Sequence, residues 1–161
     1  ERLAGIAFIT VFIDADTIPF DSPDGDGWEL RVYKTIDELK PIEKPKISSH
    51  VKSFPMSASK IENDYPCWDD IAFECPQEIE EQYLELYENY SGFKFGGWPT
   101  LIQSEISWAA WNDHPAAPEY VFQIDTEAKA HWSWGYGGVG YFGLGTVDGK
   151  ETEWTLEWQC Y

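Results

Sequence analysis

A chain of 161 residues with 43% hydrophobic and 17% aromatic side chains can bury enough apolar surface to offset its ordering entropy, which excludes intrinsic disorder. Its 29 acidic against 11 basic residues give a net charge of -18. A field of that sign repels phosphate backbones and anionic lipid surfaces, so nucleic-acid and membrane docking through a basic patch are excluded. The imbalance is uneven: residues 1–60 hold 10 acidic and 8 basic side chains, whereas residues 61–161 hold 19 acidic side chains and only Lys94, Lys129 and Lys150. A cationic partner is favoured (a basic protein, a basic peptide or a divalent cation), with solubility as the plainer use of the charge.

Leu3 to Ile13 (LAGIAFITVFI) is an apolar, β-branched and aromatic run that predicts a buried strand. Asp14 to Gly27 is a turn-rich loop with five Asp, and Trp28 to Tyr33 (WELRVY) alternates as a half-buried strand does. Together they predict a hairpin. Thr35 to Lys40 suits a turn or two of helix, and Pro41 to Lys60 reads as an irregular, mildly basic linker. Pro76 to Tyr90 is the clearest helix, with Pro76 at its first position and Gly92 beyond its end. At 100° per residue Ile79, Tyr83, Leu86, Tyr87 and Tyr90 share a face to be buried. Glu78, Glu81, Glu85 and Glu88 share the opposite, solvated face, with no Lys placed to pair with them.

Phe93 to Pro99 is a Gly-Pro loop and Trp108 to Pro118 a second irregular stretch. Glu119 to Asp125 is a strand, and Ala130 to Gly140 an aromatic-glycine segment. Tyr141 to Val147 and Trp154 to Tyr161 form another hairpin, turning at Asp148-Gly149. The hairpins resemble each other, aligning Gly5 with Gly138 and Trp28 with Trp154, which suggests a degenerate duplication or two aromatic hairpins alike by chance.

Apparent motifs fail on geometry. With Gly27 at the sixth position of a calcium loop, Ser22 stands first and Tyr33 twelfth, where Asp and a bidentate Glu are needed. A solvated turn is the simpler reading of Asp14, Asp16, Asp21, Asp24 and Asp26, although a calcium site of another kind stays open. Gly135 to Gly140 (GYGGVG) lacks the strand before and the helix after that phosphate binding requires, so tight turning under large aromatics is expected. His50, His114 and His131 have no ligand spacing. Cys67, Cys75 and Cys160 are an odd number without a C-x-x-C pair, which suits a reduced, cytoplasmic setting. No apolar run reaches the roughly 18 residues of a membrane-spanning helix. The chain opens at Glu1 straight into an apolar segment, so upstream residues are expected to be missing. Trp132, Trp134 and Tyr136 would share one face if extended, as core or as a sugar platform.

Four ordered blocks carry a family resemblance: Lys94 to Gln103 (KFGGWPTLIQ), Val121 to Asp125 (VFQID), Trp134 to Phe142 (WGYGGVGYF) and Trp158 to Tyr161 (WQCY). The chain resembles the YwqG-like family, a bacterial domain of unknown function. That resemblance implies an α+β architecture with extensive antiparallel sheet, an upstream strand that this chain lacks, and no activity, cofactor or catalytic residue to carry over.

The expected fold is α+β, mainly antiparallel sheet built from two similar β-hairpin units with one principal helix. Residues 1–161 are expected to form a single domain, with pseudo-repeated halves near 1–60 and 93–161. The expected function is that of a non-catalytic acidic binding protein, such as an immunity-type protein that neutralises a basic partner or toxin. Glu78, Glu81, Glu85 and Glu88 would face that partner. The alternative is a carbohydrate or small-molecule binding domain using Trp98, Trp132, Trp134 and Tyr136. No catalytic residue, metal ligand or cofactor is assigned.

Overall fold

A computed structural model describes residues 2–14, 16–41, 43, 49–71, 76–108 and 112–161. Cys75 and parts of the two irregular stretches (42, 44–48 and 109–111) lie outside the described residues. The fold is α+β and mostly strand. In chain order it comprises β1 (Phe8–Ile13), β2 (Trp28–Tyr33), α1 (Gln77–Leu86), β3 (Lys94–Phe95), β4 (Glu119–Asp125), β5 (Val139–Leu144) and β6 (Trp154–Gln159). Three-residue 3-10 turns occur at Ile36–Glu38, Trp68–Asp70 and Ala128–Ala130. Among the described residues no helix is long and apolar enough to cross a membrane.

β1 and β2 form a two-stranded antiparallel sheet, and β3-β4-β5-β6 form a four-stranded antiparallel sheet in that order. The two hairpins β1–β2 and β5–β6 share a register: Ile13 faces Trp28 in one, Leu144 faces Trp154 in the other. This equivalence pairs Phe8 with Val139, not Gly5 with Gly138, because Leu3 to Gly5 form a turn before β1 begins. Gly5 takes a φ of +81° and Ile6 N–H donates to Leu3 O at 3.1 Å, so the apolar run enters strand geometry late.

Strand alternation gives the larger sheet two buried faces. One is apolar: Phe122, Phe142, Trp154 and Leu156 meet Trp28 and Leu30 of the first hairpin. Phe122 and Phe142 stack at 4.4 Å between centroids, and Trp28 meets Phe142 edge-on at 6.1 Å. Trp134, 0% exposed, lies over Gly140, where a Cβ would come within 2.3 Å of the indole. The other face is polar and carries Gln123, Tyr141 and Gln159. Two bulky amides are buried there because they replace strand partners for the loop above them. Gln123 Oε1 accepts from Thr100 N–H at 2.9 Å and its Nε2 donates to Gly92 O at 2.9 Å. Gln159 Oε1 accepts from Ile102 and Gln103 N–H at 3.0 and 3.1 Å, and its Nε2 donates to Ser104 O at 2.9 Å. Tyr141 Oη donates to Thr100 O at 2.7 Å. Such satisfied buried amides fix one position for the segment from Gly92 to Ser104.

The helix is shorter than its periodicity predicts. It ends at Leu86 because Tyr87 turns extended and the next residues find partners elsewhere: Tyr65 N–H donates to Glu88 O at 3.3 Å, and Tyr90 N–H to Asp64 Oδ1 at 3.0 Å. Pro76 caps the helix and is not its first residue. The expected aromatic face is covered only in part. Tyr83 is half-buried, donates to Pro66 O at 2.7 Å and packs on Trp68, whereas Ile79, Leu86 and Tyr87 are exposed.

Candidate partner-binding surface

The site begins with a buried ion pair. Asp64 Oδ2 accepts from Lys94 Nζ at 3.0 Å and from Trp98 N–H at 2.8 Å, while Oδ1 accepts from Tyr90 N–H. Both side chains are about nine-tenths buried, exposed by 8% and 10%. Burial opposes the Asp64 charge, but the three donors outweigh it and hold the carboxyl below the usual aspartate range. Gly97 exists for this contact: its φ is +69°, and a Cβ there would come 2.2 Å from Asp64 Oδ2. The turn Gly96-Gly97-Trp98-Pro99 is therefore rigid. From the other side, Pro99 O accepts from Asn89 Nδ2 at 3.1 Å.

What this turn displays is Trp98, 46% exposed. It borders a cleft of about 350 Å³ that Ile106, Trp108, Tyr120, Asp70 and Glu119 also line. Trp108 packs on the sheet where Gly143 leaves room: a Cβ on Gly143 would meet the indole at 2.8 Å. Asp70 Oδ2 accepts from Cys67 Sγ at 3.6 Å, and Glu119 pairs with Arg2. The 3-10 turn carrying Asp70 also packs on α1 through Trp68 and Tyr83, whose rings lie 5.6 Å apart, so cleft and helix are neighbours.

On α1 and just beyond it, Glu78, Glu81, Glu85 and Glu88 are all exposed, and α1 contains no basic residue. Leu84, 60% exposed, borders this row, whereas Leu86, 71% exposed, stands on the opposite face. Lys94 is committed to Asp64, which leaves Lys129 and Lys150 as the other cations after residue 60.

The aromatic residues singled out in the sequence do not gather. Trp132 and Trp134 pack edge-on at 5.1 Å, Trp134 wholly inside, while Tyr136 is 86% exposed and Trp98 belongs to the other surface. The segment is not extended: Gly135 and Gly137 have positive φ and Gly138 N–H donates to Trp134 O at 2.7 Å, which turns successive side chains apart.

The Asp-rich loop straps the first hairpin to β6. Asp14 Oδ1 accepts from Asp16 and Thr17 N–H, Asp24 Oδ1 accepts from Leu30 N–H, and Pro19 O accepts from Trp158 Nε1 at 2.7 Å. Asp21, Asp24, His114 and Glu153 line a second cleft, also of about 350 Å³, beside it. Burial, and then the nearby Asp21 carboxylate, push the Glu157 carboxyl up to about 7. Among the described residues no group of three or more His, Cys, Asp or Glu is placed to hold a metal ion.

Sequence reasoning missed Asp64, Trp108 and Tyr120. Only Lys94 and the adjacent Gly96-Gly97 pair signalled a special turn, and nothing local marks Asp64 as its counter-charge. In comparison with known proteins, a family model described as Domain of unknown function (DUF1963) matches residues 7–160. No curated protein matches the chain.

Proposed function

This chain belongs to the family described as Domain of unknown function (DUF1963), and from that premise, which brings no activity with it, we propose that it is a non-catalytic acidic binding protein that holds a basic protein partner. An immunity-type protein neutralising a basic toxin is its most concrete form. The observation that carries this reading is α1, a surface helix with no buried residue and no basic residue, whose exposed carboxylates form no ion pair among the described residues and have the exposed Leu84 beside them. Uncompensated charge on a helix opposes the stability of the chain that bears it. Across an interface the same charges speed encounter and reject wrong partners, and Leu84 supplies area from which water is expelled. The test is the affinity for a co-encoded basic protein measured against ionic strength. Affinity should fall steeply with salt, and Glu78, Glu81, Glu85 and Glu88 replaced together by Gln should flatten that dependence. Salt-insensitive binding, or none, defeats the proposal.

A second reading, carbohydrate or small-molecule binding, draws on the cleft beside Trp98 and on the exposed Tyr136. Trp98→Ala should then abolish a thermal shift produced by the sugar without unfolding the chain. Trp132 and Trp134 would contribute by packing alone.

A further inference from the structure

We propose that the outer edge of β1 pairs antiparallel with the same strand of a second copy of this chain, joining the two hairpins into one continuous sheet about a two-fold axis. This goes beyond the binding role proposed above and uses no residue of α1. The two edges of the β1–β2 sheet differ. On β2 the outward groups are taken: Leu30 N–H donates to Asp24 Oδ1 at 3.2 Å, and Trp28 O accepts from Gly25 N–H at 2.8 Å. Leu30 faces Val11 and Trp28 faces Ile13, and residues opposite each other in an antiparallel ladder both point inward or both outward. Ile9, Val11 and Ile13 therefore turn their N–H and C=O groups away from β2. Among the described residues no strand pairs with that side of β1, and no hydrogen bond from elsewhere reaches these three backbones. In the other hairpin the counterpart of β1 is β5, which has β4 bonded antiparallel along the equivalent side. An antiparallel neighbour at this edge therefore follows a pattern the fold already uses.

The strand fits a copy of itself. A two-fold pair needs side chains that match when the strand is reversed. Phe8-Ile9-Thr10-Val11-Phe12 reads alike from either end: aromatic, β-branched aliphatic, Thr, β-branched aliphatic, aromatic. Centred on Thr10, the pairing sets Thr10 against Thr10 of the second copy, Phe8 against its Phe12, and Ile9 against its Val11. Ile9 and Val11 then exchange hydrogen bonds through their outward groups. Phe8, Thr10 and Phe12 fall at the closer, non-hydrogen-bonded positions, where aromatic and Thr–Thr cross-strand contacts stabilise a sheet. Phe8 and Phe12, held by Tyr33 and Arg31 of β2, are 43% and 51% exposed, so water leaves both rings on pairing. Charge selects this meeting place. Edge strands are commonly protected by charged side chains or proline, and Leu3 to Ile13 contains neither. Residues 1–60 are nearly balanced, with 10 acidic and 8 basic side chains, whereas the 19 acidic side chains after them make approach elsewhere repulsive. Because the β2 edge is occupied, pairing stops at two copies. An edge of six residues offers less than the roughly 800 Å² per partner of a standard interface, so the dimer is weak, with a Kd on the order of 100 μM.

The test is sedimentation equilibrium of the full chain between about 10 μM and 1 mM, a range that brackets that Kd. The mass should rise from one chain towards two and no further. It should rise more readily at about 300 mM than at about 50 mM NaCl, because salt screens the repulsion between two acidic chains. Thr10→Lys sets two like charges face to face and should weaken association about fivefold, with its melting temperature reporting that it folds. Thr10→Cys gives a second measurement. Paired as described, the two thiols lie across the axis within disulfide reach, so mild oxidation should yield a covalent dimer much faster than in the wild type, whose own cysteines are the control. Hydrogen exchange separates edge pairing from mere stacking of the phenylalanines, since only pairing slows the Ile9 and Val11 amides as concentration rises. A chain that stays monomeric at about 1 mM overturns the proposal and leaves the edge to a strand from another protein. So does growth beyond two copies, a dimer that a folded Thr10→Lys variant does not weaken, a Thr10→Cys variant that cross-links no faster than wild type, or a dimer whose Ile9 and Val11 amides stay unprotected. None of these measurements involves a basic partner, so failure here is separable from failure of the binding role.

Discussion

Asp64 and Lys94 are about nine-tenths buried, so removing either one leaves the other as a buried charge without its counter-ion. Asp64→Asn keeps the shape and strands the ammonium, so unfolding free energy at neutral pH should drop by about 3 kcal/mol, read from urea titrations. The sign with pH follows from the lowered carboxyl. The folded state binds its proton later than the unfolded chain, so the stabilisation is complete above the ordinary aspartate range and is lost as pH falls below that range through the lowered folded value. The gap between wild type and Asp64→Asn should therefore begin to narrow below about pH 4 and shrink further as the pH is lowered. Glu157 is the opposite case. Its carboxyl, pushed up to about 7, is protonated more readily in the folded state, so stability is highest in acid and declines as pH rises from the ordinary glutamate range through 7. Glu157→Gln should match wild type near pH 5 and exceed it near pH 8 by about 1 kcal/mol, allowing for the partial exposure of the group. Melting temperatures across that interval decide it. At this scale the sequence was legible where chemistry is local. Gly96-Gly97-Trp98-Pro99 announces a special turn, but the carboxylate that makes it rigid comes from a distant segment and has no local signature.

Among the elements, the hairpins were the most legible, because a Trp-x-Leu start and two-residue alternation dictate strand and face together. Trp28 and Leu30 occupy the same register as Trp154 and Leu156, and all four are buried. What alternation cannot reveal is a strand two residues long, such as β3, or a polar face that is nevertheless buried, such as that of Gln123 and Gln159. Those depend on a loop returning to cover them. The helix was predicted too long for a related reason, since Asp64 and Tyr65 capture the backbone beyond Tyr87. Its charges make a prediction of their own. Glu81 and Glu85 repel at i,i+4, and Glu85 lies at the helix end that favours cations. Glu85→Lys reverses both effects and should stabilise the chain by about 0.5 kcal/mol in chemical denaturation. The same variant should associate more slowly with a basic partner at low salt. A stabilised variant whose association rate is unchanged would detach the helix from the interface.

For the whole molecule, charge and packing act against each other. One hydrophobic cluster joins the two sheets, with Trp28 and Leu30 of the hairpin meeting Phe122, Phe142 and Leu156 of the larger sheet. Around that cluster the net charge of -18 repels itself. Salt screens charges over about 10 Å at 0.1 M, so it relieves repulsion between exposed carboxylates while leaving the buried Asp64–Lys94 pair almost untouched. The free chain should therefore become more stable as salt is added, its melting temperature rising between about 20 and 300 mM NaCl. A charge-complementary complex responds in the opposite direction, because the same screening removes the attraction that holds it. Two titrations over one salt series, calorimetric melting of the free chain and affinity for the basic partner, should thus move with opposite signs. The four-glutamine variant should lose slope in both, since the charges that strain the free chain are those proposed to bind. If its melting curve loses salt dependence and its affinity does not, the repulsion belongs to this helix and the partner binds elsewhere.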